Sequence, residues 1–171
     1  MSGFEQYRQL VVTACEWRAF GVDDPALMAE RVYAKLAGKS GGLRELYKAI
    51  EKVVDDAYRQ AAGRKSFLEA LQGQFTFARP AADKSAERQI LDALSECRHR
   101  QTVLLREAYW DELAVEELAQ LHRTSPEEAR QALDSSLEAF SDRLAKKAGQ
   151  RPDDPAAALR GIKPGVHHRW G

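Results

Sequence analysis

Cysteine is nearly absent from this chain: Cys15 and Cys97 stand far apart in 171 residues and belong to no CxxC pair. That removes a disulfide framework and a zinc site, and both thiols are expected as small buried apolar groups. Long apolar runs are missing as well. No stretch of about 18 such residues exists to span a bilayer, and Met1-Ser2-Gly3-Phe4-Glu5 lacks a basic segment leading into an apolar core. A cytoplasmic protein without a membrane partner is the expectation. Runs of β-branched residues bounded by turns are also lacking, whereas Ala, Leu, Glu, Arg, Lys and Gln dominate, so the fold should be all-α.

Catalytic and metal-binding patterns are equally thin. The histidines are His99, His122, His167 and His168, and no carboxylate or cysteine stands beside them at a ligand spacing. No nucleophile has a recognisable base. Gly38-Lys39-Ser40 matches the end of a phosphate-binding loop, but the glycine five residues earlier is absent and no strand precedes it. Neither an enzyme activity, a metal nor a cofactor is expected.

What the chain does contain is helical periodicity in two blocks. A first helix is predicted from Phe4 to Phe20, with Gly21-Val22-Asp23-Asp24 ending it and capping the next. A second runs from Pro25 to Leu36, with Leu27, Met28, Val32, Tyr33 and Leu36 near one stripe, and a third from Leu43 to about Ala61. Gly38-Lys39-Ser40-Gly41-Gly42 separates them as a loop. The pattern lapses between Gly73 and Ser85 and resumes in a second block. Two small helical domains are therefore expected at 4–72 and 85–147, joined by a linker at 73–84. Pro- and Gly-containing residues 148–171 read as a flexible tail.

The second block holds the most informative segment. Ala114-Val115-Glu116-Glu117-Leu118-Ala119-Gln120-Leu121 has helical spacing, breaks at His122-Arg123-Thr124 and restarts at Ser125-Pro126-Glu127-Glu128. Ser125 suits an N-cap, Pro126 the first helical position, and Glu128, three residues after Ser125, completes a capping box. Two helices this close can cross steeply, which lets the second enter a major groove; an ordinary helical hairpin has the same spacing. Charge weighs against avid DNA binding. Lys and Arg equal Asp and Glu at 26 each overall, but residues 85–147 carry nine basic against thirteen acidic side chains. Neutralising phosphate supplies much of the affinity of a DNA binder, so this block would bind weakly alone or be delivered by a partner.

In order and spacing the chain resembles an extracytoplasmic-function sigma factor of bacterial RNA polymerase over roughly residues 5–147. The resemblance rests on Asp24-Pro25-Ala26-Leu27-Met28-Ala29-Glu30-Arg31-Val32-Tyr33-Ala34-Lys35-Leu36, then on Leu46-Tyr47-Lys48, Val53, Asp56 and Arg59. In the second block it rests on Ala93-Leu94, Arg100-Gln101-Thr102-Val103-Leu104-Leu105-Arg106, Glu117-Leu118-Ala119 and Ser125.

The resemblance implies a transcription initiation factor whose partners are core RNA polymerase, promoter DNA and an anti-sigma factor or other protein regulator. It implies that Glu30, Tyr33 and Lys35 meet polymerase. Lys39, Ser40, Tyr47, Lys48, Lys52 and Arg59 would meet the minus ten element, with cations on the single-strand backbone and an aromatic for stacking. Arg123, Thr124, Ser125, Glu127, Arg130 and Gln131 would meet the upstream element. Tyr33 and Tyr47 also sit at core spacing. The chain departs from the family where His122-Arg123-Thr124 replaces the usual Leu-Gly-Val, and where Ala132, Asp134 and Ser135 replace polar or basic positions of the reading helix. Two other functions stay open: a sigma-like adaptor or antagonist that does not read promoters, which the acidic helix supports, and a stand-alone helix-turn-helix repressor.

Overall fold

The computed structural model describes residues 3–62 and 84–162. Among these there are eight α-helices and no strand: α1 Arg8–Arg18, α2 Pro25–Leu36, α3 Leu43–Ala62, α4 Lys84–Glu96, α5 His99–Tyr109, α6 Val115–His122, α7 Pro126–Ala148 and α8 Pro155–Gly161. The protein is all-α. Contacts divide it into two compact units, residues 1–77 and 78–171. The expected linker at 73–84 lies outside the described residues but for Lys84, as do His167 and His168.

In the first unit, α2 packs against both α1 and α3. A single 3-10 turn, Glu5–Tyr7, precedes α1, so the expected helix from Phe4 begins later; Phe4 is instead a core residue. Local chemistry places α2: the Asp24 carboxylate accepts the Ala26 N–H at 2.8 Å, and Pro25 takes the first position, where its missing N–H costs nothing. Met28, Ala29, Val32 and Leu36 are buried beneath α2. Leu27, expected on that stripe, is 55% exposed, because one residue of offset turns it about 100° from Met28 and away from α1 and α3.

Helix α3 is amphipathic over its length, with Leu43, Leu46, Ile50, Val53 and Ala57 buried along one side. Tyr47 lies in the same core at 6% exposure, with the Arg18 guanidinium 5.5 Å from its ring centre. Tyr58 is half-buried and donates its hydroxyl to the Arg18 carbonyl at 2.8 Å; burial pushes its pKa up to about 12.

The second unit is built around α7, against which α4, α5, α6 and α8 pack. Its core includes Leu94, Leu105, Trp110, Leu118, Phe140 and Leu144. Cys97 is buried there, which raises its pKa although Arg143 opposes the rise. The stretch expected to be a free tail carries α8, capped by Asp154, whose carboxylate accepts the Ala157 N–H at 3.1 Å. Leu159 and Ile162 are buried, and the Trp110 indole donates to the Leu159 carbonyl at 3.0 Å. Through residue 162 the segment is thus packed rather than loose, because its two apolar side chains and one carbonyl complete a core that α5 and α7 leave open.

Candidate nucleic-acid interface

Helices α6 and α7 meet at a turn of only three residues, and two local devices set its shape. At the end of α6, Arg123 is left-handed (φ 55°, ψ 47°). Its N–H points to the Gln120 carbonyl at 3.4 Å, while the Thr124 N–H bonds the Ala119 carbonyl at 3.0 Å. This pair of bonds is a Schellman closure, for which glycine is the usual left-handed residue. Arginine takes that conformation here, so the missing glycine does not prevent the turn; a non-glycine residue in it costs about 1–2 kcal/mol.

At the start of α7 the capping box is complete. The Ser125 hydroxyl accepts the Glu128 N–H at 3.1 Å, and the Glu128 carboxylate accepts the Ser125 N–H at 2.9 Å. Two of the orphan amides at the helix entrance are satisfied, and two carboxylates, Glu127 and Glu128, lie in the first turn where the helix dipole favours negative charge. Behind the turn, His122 Nε2 lies 2.6 Å from Oε2 of Glu107 on α5, tying the end of α6 to the preceding helix.

The exposed face of α7 that the resemblance expects to meet DNA follows from helical geometry. Glu127, Arg130, Gln131 and Asp134 are all exposed and form one stripe. Within it the Gln131 amide donates to Glu127 at 3.2 Å. Arg123 is exposed beside the stripe. Ser125 is committed to capping, and Thr124 is partly covered, with its hydroxyl oxygen sealed and unpartnered. Farther along α7, Arg151 pairs with Glu138 and with Asp142, the latter at 2.8 Å, masking two carboxylates of the helix.

Sequence reasoning gave no interface role to the cations that tertiary packing brings to this region. Arg98 and Arg100, at the entrance of α5, are exposed and share a groove with Thr124, Glu128 and Ser135. The Arg98-His99-Arg100 run was visible in the sequence, but its distance from α7 along the chain hid the juxtaposition.

In the first unit the residues expected at the minus ten element separate into two groups. Lys48, Lys52 and Arg59 share an exposed stripe of α3, and Arg44, not singled out from the sequence, continues it one turn earlier. Glu51 and Asp55 are exposed close to the same stripe, and Lys48 and Lys52 already pair with Glu45 at 3.2 Å and Asp56 at 3.4 Å. Lys39 and Ser40 are exposed in the loop before α3. Tyr47 does not belong with them. It is turned into the core of the first unit, so it is a core residue and not a stacking platform.

The three residues expected to meet polymerase also divide. Glu30 is exposed and accepts from Arg8 at 3.2 Å. Tyr33 lies beneath the Arg8 guanidinium, 4.6 Å from its ring centre, and donates to the Phe4 carbonyl at 3.0 Å. Burial raises the Tyr33 pKa, which Arg8 partly offsets. Lys35 faces α3 instead, 3.6 Å from Asp56. The outward ridge of α2 is Leu27, Glu30, Arg31 and Ala34.

Comparison of the chain with protein-family models, with curated proteins and with solved structures gives no match.

Proposed function

We propose that the protein is a sigma-like initiation factor that binds core RNA polymerase and directs it to promoters, as its resemblance to extracytoplasmic-function sigma factors implies. The observation that carries this reading is the closure between α6 and α7: a left-handed Arg123 followed by the Ser125–Glu128 capping box. It gives the second unit the local geometry of a helix-turn-helix at the position where the family has one. Two further features agree with it. Leu27, the exposed large apolar side chain of α2, lies on the helix that the resemblance gives to polymerase, and the stripe of Arg44, Lys48, Lys52 and Arg59 suits the backbone of an opened strand.

The acidic side chains of α7 shape the mechanism. Glu127 and Asp134 flank Arg130 on the reading stripe, so free duplex DNA would be held weakly. Delivery by polymerase makes such contacts effective, since tethering raises their local concentration. The same carboxylates favour a second reading, a sigma-like adaptor that holds polymerase without reading a promoter.

The test is to mix the full chain with bacterial core RNA polymerase on a sizing column and assay the complex for run-off transcription from genomic fragments. Co-elution with specific starts is expected of an initiation factor. Co-elution without starts selects the adaptor, and absence of co-elution refutes both.

A further inference from the structure

We propose that the groove between α5 and α7 is a binding site for a small organic anion with an apolar body. The groove encloses about 430 Å³ and is bounded by the first half of α5, the end of α6 and the first half of α7. That volume falls within the range of small-molecule sites. It is more than a phosphate needs, and its wall explains why: Leu104, Ala129 and Ala132 offer apolar surface along its length.

Charge at the groove selects the ligand's sign. Arg98 and Arg100 line it, both are exposed, and no described residue pairs with either guanidinium. The lining carboxylate, Glu128, is already engaged by the Ser125 N–H at the helix entrance. Two cations against one committed carboxylate leave the groove attractive to a single negative group, and guanidinium matches the planar, two-oxygen geometry of a carboxylate. An aromatic or short aliphatic carboxylate satisfies both features: its body lies on Leu104, Ala129 and Ala132, and its head meets the arginines. Bound there, it bridges α5, α6 and α7 and stiffens the angle at which α7 is presented. The site stands whether or not the chain meets polymerase.

The test is a titration of the full chain with salicylate, followed by amide NMR shifts, with salicylamide as the neutral counterpart and inorganic phosphate as the bodiless anion. Expected are saturable shifts confined to residues lining the groove, and binding at least tenfold weaker for salicylamide and for phosphate. Ala132→Phe, which fills the groove from an exposed position, should abolish binding, and the double variant R98Q/R100Q should weaken it about tenfold with the spectrum's dispersion intact. Absence of saturation overturns the proposal. So does equal affinity for salicylamide, which would make charge irrelevant, or for phosphate, which would assign the arginines to a phosphodiester backbone.

Discussion

Glu107 and His122 are fifteen residues apart, yet Oε2 of the buried Glu107 side chain lies 2.6 Å from the ring of His122, the last residue of α6. The contact locks the end of α6 to α5. Replacing His122 by Ala would leave a buried carboxylate without this partner, at a cost of about 1–3 kcal/mol. Urea unfolding should show that loss, and His122→Gln, which retains a donor, should recover a substantial part of it. An unchanged His122→Ala midpoint would remove the contact from any account of the turn.

Arg123 supplies a second expectation. Relief of the left-handed strain by Arg123→Gly gains about 1–2 kcal/mol, while glycine's greater freedom in the unfolded chain takes back about 0.5–1 kcal/mol. Net stabilisation of roughly 0.5–1 kcal/mol is expected, and Arg123→Val should destabilise. Denaturant midpoints of the two variants, moving in opposite directions, would confirm the closure; movement in the same direction would contradict it.

Tyr58 should titrate late. Its pKa of about 12 lies above the ordinary 10.0, so the folded state holds its phenol proton where the unfolded state has released it. Its contribution to stability is therefore complete below pH 10 and is lost as pH rises through about 12. Difference absorbance of the phenolate should show a late-titrating tyrosine that disappears in Tyr58→Phe. That variant should also lose about 1 kcal/mol at neutral pH through the bond to the Arg18 carbonyl.

Leu159→Asp tests the docking of α8. It places a charge in a site that is 1% exposed, which costs more than about 2 kcal/mol and should release α8 from Trp110. Hydrogen exchange should then lose protection in 155–161 while α5 and α7 keep theirs, and the Trp110 emission should move to the red. Unaltered protection of α8 would show that its docking does not depend on Leu159.

On the proposed function, Arg130→Ala should lower promoter-dependent transcription several-fold while leaving core binding within about twofold, because its side chain is exposed on the reading stripe of α7. Tyr47→Phe should leave transcription nearly unchanged, since the ring is buried. Equal loss of core binding and transcription in Arg130→Ala would contradict the assignment of that stripe.

By itself the sequence determined what depends on neighbours within about four residues. The all-helical class follows from propensity and period, the start of α2 from Asp24 and Pro25, and the start of α7 from Ser125, Pro126 and Glu128, each set by bonds that close inside one turn of helix. Only the tertiary structure decided which side of each helix meets another. One residue of offset puts Leu27 outside and Met28 inside, although both look alike in an apolar pattern. Tyr47 and Lys48 are adjacent in the chain, yet one is core and the other surface. The left-handed Arg123 was illegible because no glycine marks the position, although the bonds that close the turn are local. The docking of Leu159 and Ile162, and the meeting of Arg98 and Arg100 with the first half of α7, join residues tens of positions apart. Such contacts depend on the angles at which helices pack, and those angles are set by the shapes of whole faces rather than by any local pattern.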